Sequence, residues 1–169
     1  YYAEGKELVT FVDEHPLREA FIANTLERLC ALIVEQGDEL ICDAGLPFPS
    51  RAVSTVLLLG ERGQMSAAEI AKTLNQPHQL VTQRVDLLLE LGVVTRSEDR
   101  NDARRKLLKL TPQGRRHYER LRRRLAQARI VFQALFEEIG CDLSVAASRA
   151  MRALRETSLV KRVHALEIG

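Results

Sequence analysis

The stretch that decides the fold begins Ser66-Ala-Ala-Glu69-Ile-Ala-Lys-Thr-Leu74 and continues Asn75-Gln-Pro77-His78-Gln-Leu-Val81-Thr-Gln-Arg-Val85-Asp-Leu-Leu-Leu-Glu-Leu-Gly92. Ser66 and Glu69 stand three apart, the spacing at which a hydroxyl caps a helix and the carboxylate reaches back to the cap. A short helix over Ala67–Leu74 is expected, with Ile70, Ala71 and Leu74 on its packed side. Asn75 to His78 read as a tight turn, and Pro77 suits the first turn of a second helix. That helix runs to Leu91 and stops at Gly92, a residue free to take the left-handed conformation. Two helices joined by so short a turn are a helix-turn-helix.

The second helix divides by angle. Val81, Val85, Leu88 and Leu91 fall on one side, and Gln79, Thr82, Gln83, Asp86 and Glu90 on the other. A recognition helix is built this way: one side packs on its partner helix and the other enters the major groove of DNA. A glutamine amide both donates and accepts, which matches an adenine edge. Asp86 and Glu90 repel phosphate, so the candidates lie early in the helix: His78, Gln79, Thr82 and Gln83. An ordinary amphipathic surface helix shows the same division, and the residues that follow must decide.

They read Val93-Val-Thr-Arg96, then a polar tip, then Lys106-Leu-Leu-Lys-Leu110. Two short apolar strands around Ser97–Arg105 make a β-hairpin. Its tip offers Arg100, Arg104 and Arg105, multi-donor cations suited to phosphates or a narrow minor groove. Asp99 and Asp102 are poor partners for DNA and good ones for arginine. A helix-turn-helix followed by a basic hairpin is a winged helix. The expected class is mainly α with one small hairpin, the winged helix-turn-helix lying between long N- and C-terminal helices.

Outward from this centre, Thr111-Pro112 opens a long helix, threonine capping and proline first. Leu121, Leu125, Ala128, Phe132, Leu135 and Ile139 recur in it at heptad spacing, a seam for another helix, and Gly140 ends it. One last helix is expected over Leu143–Leu166. Upstream, Leu8–Val12 mark a short arm. Pro16 to about Ile41 form a helix with Ile22, Leu26, Leu29 and Ile33 in one stripe. Gly45, Pro47 and Pro49 break the chain before a helix over Ser50–Gly60. The expected division is 1–48 for the arm and first helix, 49–110 for the winged helix, and 111–169 for the C-terminal helices.

Composition agrees. The 169 residues are 46% hydrophobic and 28% charged, without tryptophan, as in a globular helical protein with an aliphatic core. The net charge of +2 conceals an asymmetry. Between Lys72 and Arg124, 14 Lys or Arg face 6 Asp or Glu, while the rest carries 11 against 17. A polyanion-binding face requires such concentration. No apolar run approaches the roughly 18 residues of a membrane span. No secretory signal pattern opens the sequence, and three cysteines make no framework, so a reducing, cytoplasmic setting is expected. His15, His78, His117 and His164 are scattered, and no metal-ligand spacing, Walker loop, nucleophile elbow or HExxH is present. Neither catalysis nor a metal or other cofactor is expected. Cys30, Cys42 and Cys141 read first as small apolar residues, with Cys30 and Cys42 the candidates for a redox role.

These residues resemble the MarR family of bacterial transcription regulators. The resemblance rests on Val85-Asp-Leu-Leu-Leu-Glu-Leu-Gly92-Val-Val, on Arg96, on Asp99-Arg-Asn101-Asp102-Ala-Arg104 and on Leu110-Thr-Pro-Gln-Gly114. Arg100 stands where the family usually has proline, Ala103 where it has a basic residue, and Gln83 where arginine is common. The resemblance implies a homodimer formed by the N- and C-terminal helices. It also implies a wing of Arg96, Arg100, Asn101, Asp102, Arg104 and Arg105, with Asp102 orienting Arg104 into the minor groove. A small effector that releases DNA, and hence a repressor on pseudo-palindromic operators, is further implied. Two alternatives stay open: a cysteine-based redox sensor of the same fold, and a winged-helix protein-interaction module that does not touch DNA.

Overall fold

The computed structural model describes residues 9–98 and 106–167. Its elements are α1 (Phe11–Glu14), α2 (Ile22–Asp43), α3 (Val53–Arg62), α4 (Ala67–Leu74), α5 (His78–Glu90), β1 (Val94–Glu98), β2 (Lys106–Leu110), α6 (Pro112–Glu138), α7 (Leu143–Glu156) and α8 (Leu159–Glu167). The fold is mainly helical with one antiparallel hairpin, a winged helix. The chain forms two compact units, one ending at Arg122 and the other starting at Arg123.

In the first unit the core is aliphatic. Ala52 comes from the turn just before α3, Val56 and Leu59 from α3, Ile70 from α4, Val81 and Leu88 from α5, and Leu108 from β2. The capping box at Ser66 forms as its spacing requires: the Ser66 amide donates to the Glu69 carboxylate at 2.8 Å, and the Glu69 amide donates back to the Ser66 hydroxyl at 3.3 Å. β1 and β2 pair with Val94 opposite Leu110 and Glu98 opposite Lys106. The sequence did not reveal a third partner. Met65 exchanges both backbone hydrogen bonds with Leu108, at 3.0 and 2.8 Å, and so fastens the lead-in to α4 onto the hairpin.

The start of the chain departs from the expected helix at Pro16. Arg18–Phe21 form a single 3-10 turn, and the α-helix begins at Ile22. Of the expected stripe, Ile22, Leu26 and Ile33 are exposed, and Ile41 is the buried residue of α2. α3 is likewise preceded by a 3-10 turn, Ser50–Ala52, whose first amide donates to the Asp38 carboxylate of α2 at 2.6 Å.

In the second unit, the single helix expected over Leu143–Leu166 is two. Thr157 is extended (φ −139°, ψ 111°) and ends α7. The Ala153 carbonyl accepts from the Thr157 amide at 3.0 Å, and Arg162 secures the break, its guanidinium donating to Ala153 O at 2.9 Å and to Thr157 O at 3.1 Å. Nothing in helical periodicity signals this, because the apolar pattern runs through the break. α7 and α8 bury none of their described residues, and Ile130, Phe132 and Leu135 of α6, with Ile139 just after it, are exposed.

Candidate nucleic-acid interface

The turn between α4 and α5 is fixed by backbone geometry. Asn75 is left-handed (φ 49°, ψ 48°), a conformation asparagine tolerates. The Gln76 amide closes α4 by donating to Ala71 O at 3.0 Å. Pro77 caps α5 rather than opening it. The α5 side facing α4 is Val81, Val85 and Leu88, all buried. At its far end Gly92 is left-handed (φ 65°), as the stop at that position requires.

His78, Gln79, Gln83, Asp86 and Glu90 are exposed together on the opposite face, with Thr82 half-buried among them. The Thr82 hydroxyl donates to the His78 carbonyl at 3.0 Å, which leaves its oxygen able only to accept from outside. The four candidates of this helix therefore share one surface. Arg84, to which the sequence reading gave no role, turns away from that surface and donates to the Gln76 side chain across the turn.

Of the wing candidates, Arg96 lies in β1, and its guanidinium pairs with the Asp86 carboxylate of α5 at 3.0 Å. The pair joins the hairpin to the exposed face of α5 and neutralises the carboxylate that repels phosphate. Arg100, Asn101, Asp102, Arg104 and Arg105 lie outside the described residues.

The joint behind this face explains Leu110-Thr-Pro-Gln-Gly114. The Thr111 hydroxyl donates to the Gly92 carbonyl at 2.7 Å and accepts from the Gly114 amide at 2.9 Å, so one side chain ends α5 and starts α6. Tyr118 covers Gly60 of α3, Arg115 donates to the Gly60 carbonyl at 3.0 Å, and the Arg115 and Arg122 guanidiniums stack near the Tyr118 ring. The sequence reading gave Cys30, Cys42 and Cys141 a packing role, but within the chain all three are exposed free thiols. Among the described residues no group of three metal-ligating side chains comes together, and no helix is long and apolar enough to cross a membrane.

No match stands among curated proteins. Among solved structures, the transcriptional regulator BldR from Sulfolobus solfataricus superposes with a TM-score of 0.59 at 16% identity, over 84% of this chain and 99% of its own. The adhesin competence repressor AdcR from Streptococcus pyogenes gives 0.56 at 16%, over 85% and 99%. Overoxidized AbfR bound to DNA gives 0.54 at 18%, over 75% and 98%. At such identities the likeness is one of fold. In sequence, residues 44–105, the segment that holds the winged helix-turn-helix, match the model of the MarR family.

Proposed function

We propose that this chain is a sequence-specific DNA-binding transcription regulator that acts as a homodimer. The observation that carries the reading is the shared exposed face of His78, Gln79, Thr82 and Gln83 beside the base of a basic wing. Those four side chains read base edges in the major groove. Arg100, Asn101, Asp102, Arg104 and Arg105 serve the wing, with Asp102 orienting Arg104, and Arg96 stands at its base. The excess of positive charge between Lys72 and Arg124 supports phosphate binding. Apolar residues left exposed on α2, α6, α7 and α8 support pairing with a second copy through the terminal segments 1–48 and 111–169. Repression relieved by a small effector is the regulatory mode we assign.

Selection of bound sequences from a random duplex pool tests the reading. Two-fold related sequences with half-sites about 10 bp apart are expected, and retention of no duplex at low salt would refute it. Arg104→Ala should weaken binding to A·T-rich operators by about 1–3 kcal/mol. Arg100→Ala and Arg105→Ala should weaken all duplexes alike. Exposed Cys30 and Cys42 favour a second reading, oxidant-driven release. Release by peroxide that is lost on replacing either cysteine by serine would decide for it.

A further inference from the structure

His117 is 7% exposed, on the side of α6 that meets the linker from α2 to α3. The Phe48 ring stands edge-on to it, centroids 6.3 Å apart. One nitrogen of the Arg120 guanidinium lies 3.0 Å from His117 Nδ1 and 3.0 Å from the Gly45 carbonyl oxygen. A guanidinium only donates, so Nδ1 must accept, and the ring is neutral with its proton on Nε2. Nε2 faces the Gln113 amide nitrogen 3.4 Å away, and turning that amide over presents its oxygen to the Nε2 proton. Gly45 is left-handed (φ 64°), and a Cβ there would touch Arg120. The guanidinium thus rests against a bare backbone.

We propose that His117 and Arg120 form an acid-released latch holding the linker Gly45–Pro49 against the first turns of α6. A proton on Nδ1 removes the acceptor and sets a second positive charge against Arg120. The guanidinium must leave, and the Gly45 carbonyl loses its donor. The charges that bear on the ring are Arg120 and Arg116, both on α6 and both positive. Gly45–Pro49 carries no ionisable side chain, and the exposed Asp43 ends the helix before it. Burial, then Arg120 and Arg116, hold the ring below the ordinary histidine value of 6.5. The closed latch therefore excludes the proton, and acid favours the open linker. The linker leads directly into the winged helix, so its release alters how the DNA-binding elements are held. The latch itself does not rest on DNA binding.

The test uses the whole protein. Ring resonances of His117 should titrate below 6.5, and the Leu46 amide, which donates to Ile41 O in the closed linker, should lose hydrogen-exchange protection over the same range. In His117→Asn, whose side-chain oxygen keeps an acceptor near Nδ1 and does not titrate, that protection should be flat with pH. A His117 ring titrating at or above 6.5 overturns the latch. Protection in the wild type that does not change as the ring titrates, or that falls equally in His117→Asn, also overturns it. Should His117→Asn fail to fold, the wild-type titration and exchange still decide.

Discussion

A Cβ placed on Gly114 would lie 1.9 Å from the carbonyl oxygen of Val93. The first turn of α6 thus rests directly on the backbone entering β1. The Thr111 amide donates to that same Val93 carbonyl at 3.0 Å. No rotamer change can relieve a clash with backbone. Gly114→Ala should therefore cost about 3 kcal/mol or prevent folding, as thermal or urea unfolding will measure.

Gly60 offers the contrasting case. A Cβ there would meet the Tyr118 ring at 2.1 Å, an obstacle made of side chain. Gly60→Ala should destabilise by about 2 kcal/mol. Adding Tyr118→Ala should recover part of that loss, so the double variant is less destabilised than the sum of the two singles. Strict additivity would show that the contact is absent in solution.

Asp86 and Arg96 form a half-exposed pair, each side chain 52% accessible. Such a pair stabilises by well under 1 kcal/mol, so Asp86→Asn should leave the unfolding midpoint nearly unchanged. On the proposed DNA-facing surface the effect differs: a negative charge goes and Arg96 is freed. Affinity for every duplex should rise, and the salt slope should steepen by about one unit per protomer. Weaker binding would instead mean that Asp86 positions the wing.

Phe132 is 38% exposed in the chain and lies 6.1 Å from Phe136, centroid to centroid. Phe132→Asp should leave helix content intact while abolishing the proposed dimer. A two-fold interface buries the unpaired carboxylate twice, at about 1–3 kcal/mol or more each. Sedimentation at micromolar concentration should show a monomer, and an unaltered dimer would remove this segment of α6 from the interface.

The Asp38 carboxylate accepts from the amide and hydroxyl of Ser50, and these bonds lower its pKa below the ordinary 3.8. The stability they lend is fully present above that value and is lost as pH falls through the lower folded-state value. Asp38→Ala should cost about 1 kcal/mol at neutral pH, and its deficit against the wild type should shrink in strong acid.

The sequence by itself determined what lies within one or two helical turns. The Ser66–Glu69 capping box, the stop at Gly92, the break at Gly140, the hairpin and the two faces of α5 follow from short-range hydrogen bonding and periodicity, and the structure has them all. Tertiary structure alone decided the pairings between residues distant in the chain. Arg120 finds the Gly45 carbonyl 75 positions away and Arg115 finds Gly60 at 55, while Arg96 meets Asp86 only because the hairpin folds beside α5. Local pattern likewise could not say that Arg84 turns back to Gln76, that Met65 bridges to Leu108, or that the last helix breaks at Thr157. Each depends on where a long side chain or an open backbone group finds its partner after packing. Periodicity records which face of a helix is apolar, but what that face meets is set by the three-dimensional arrangement.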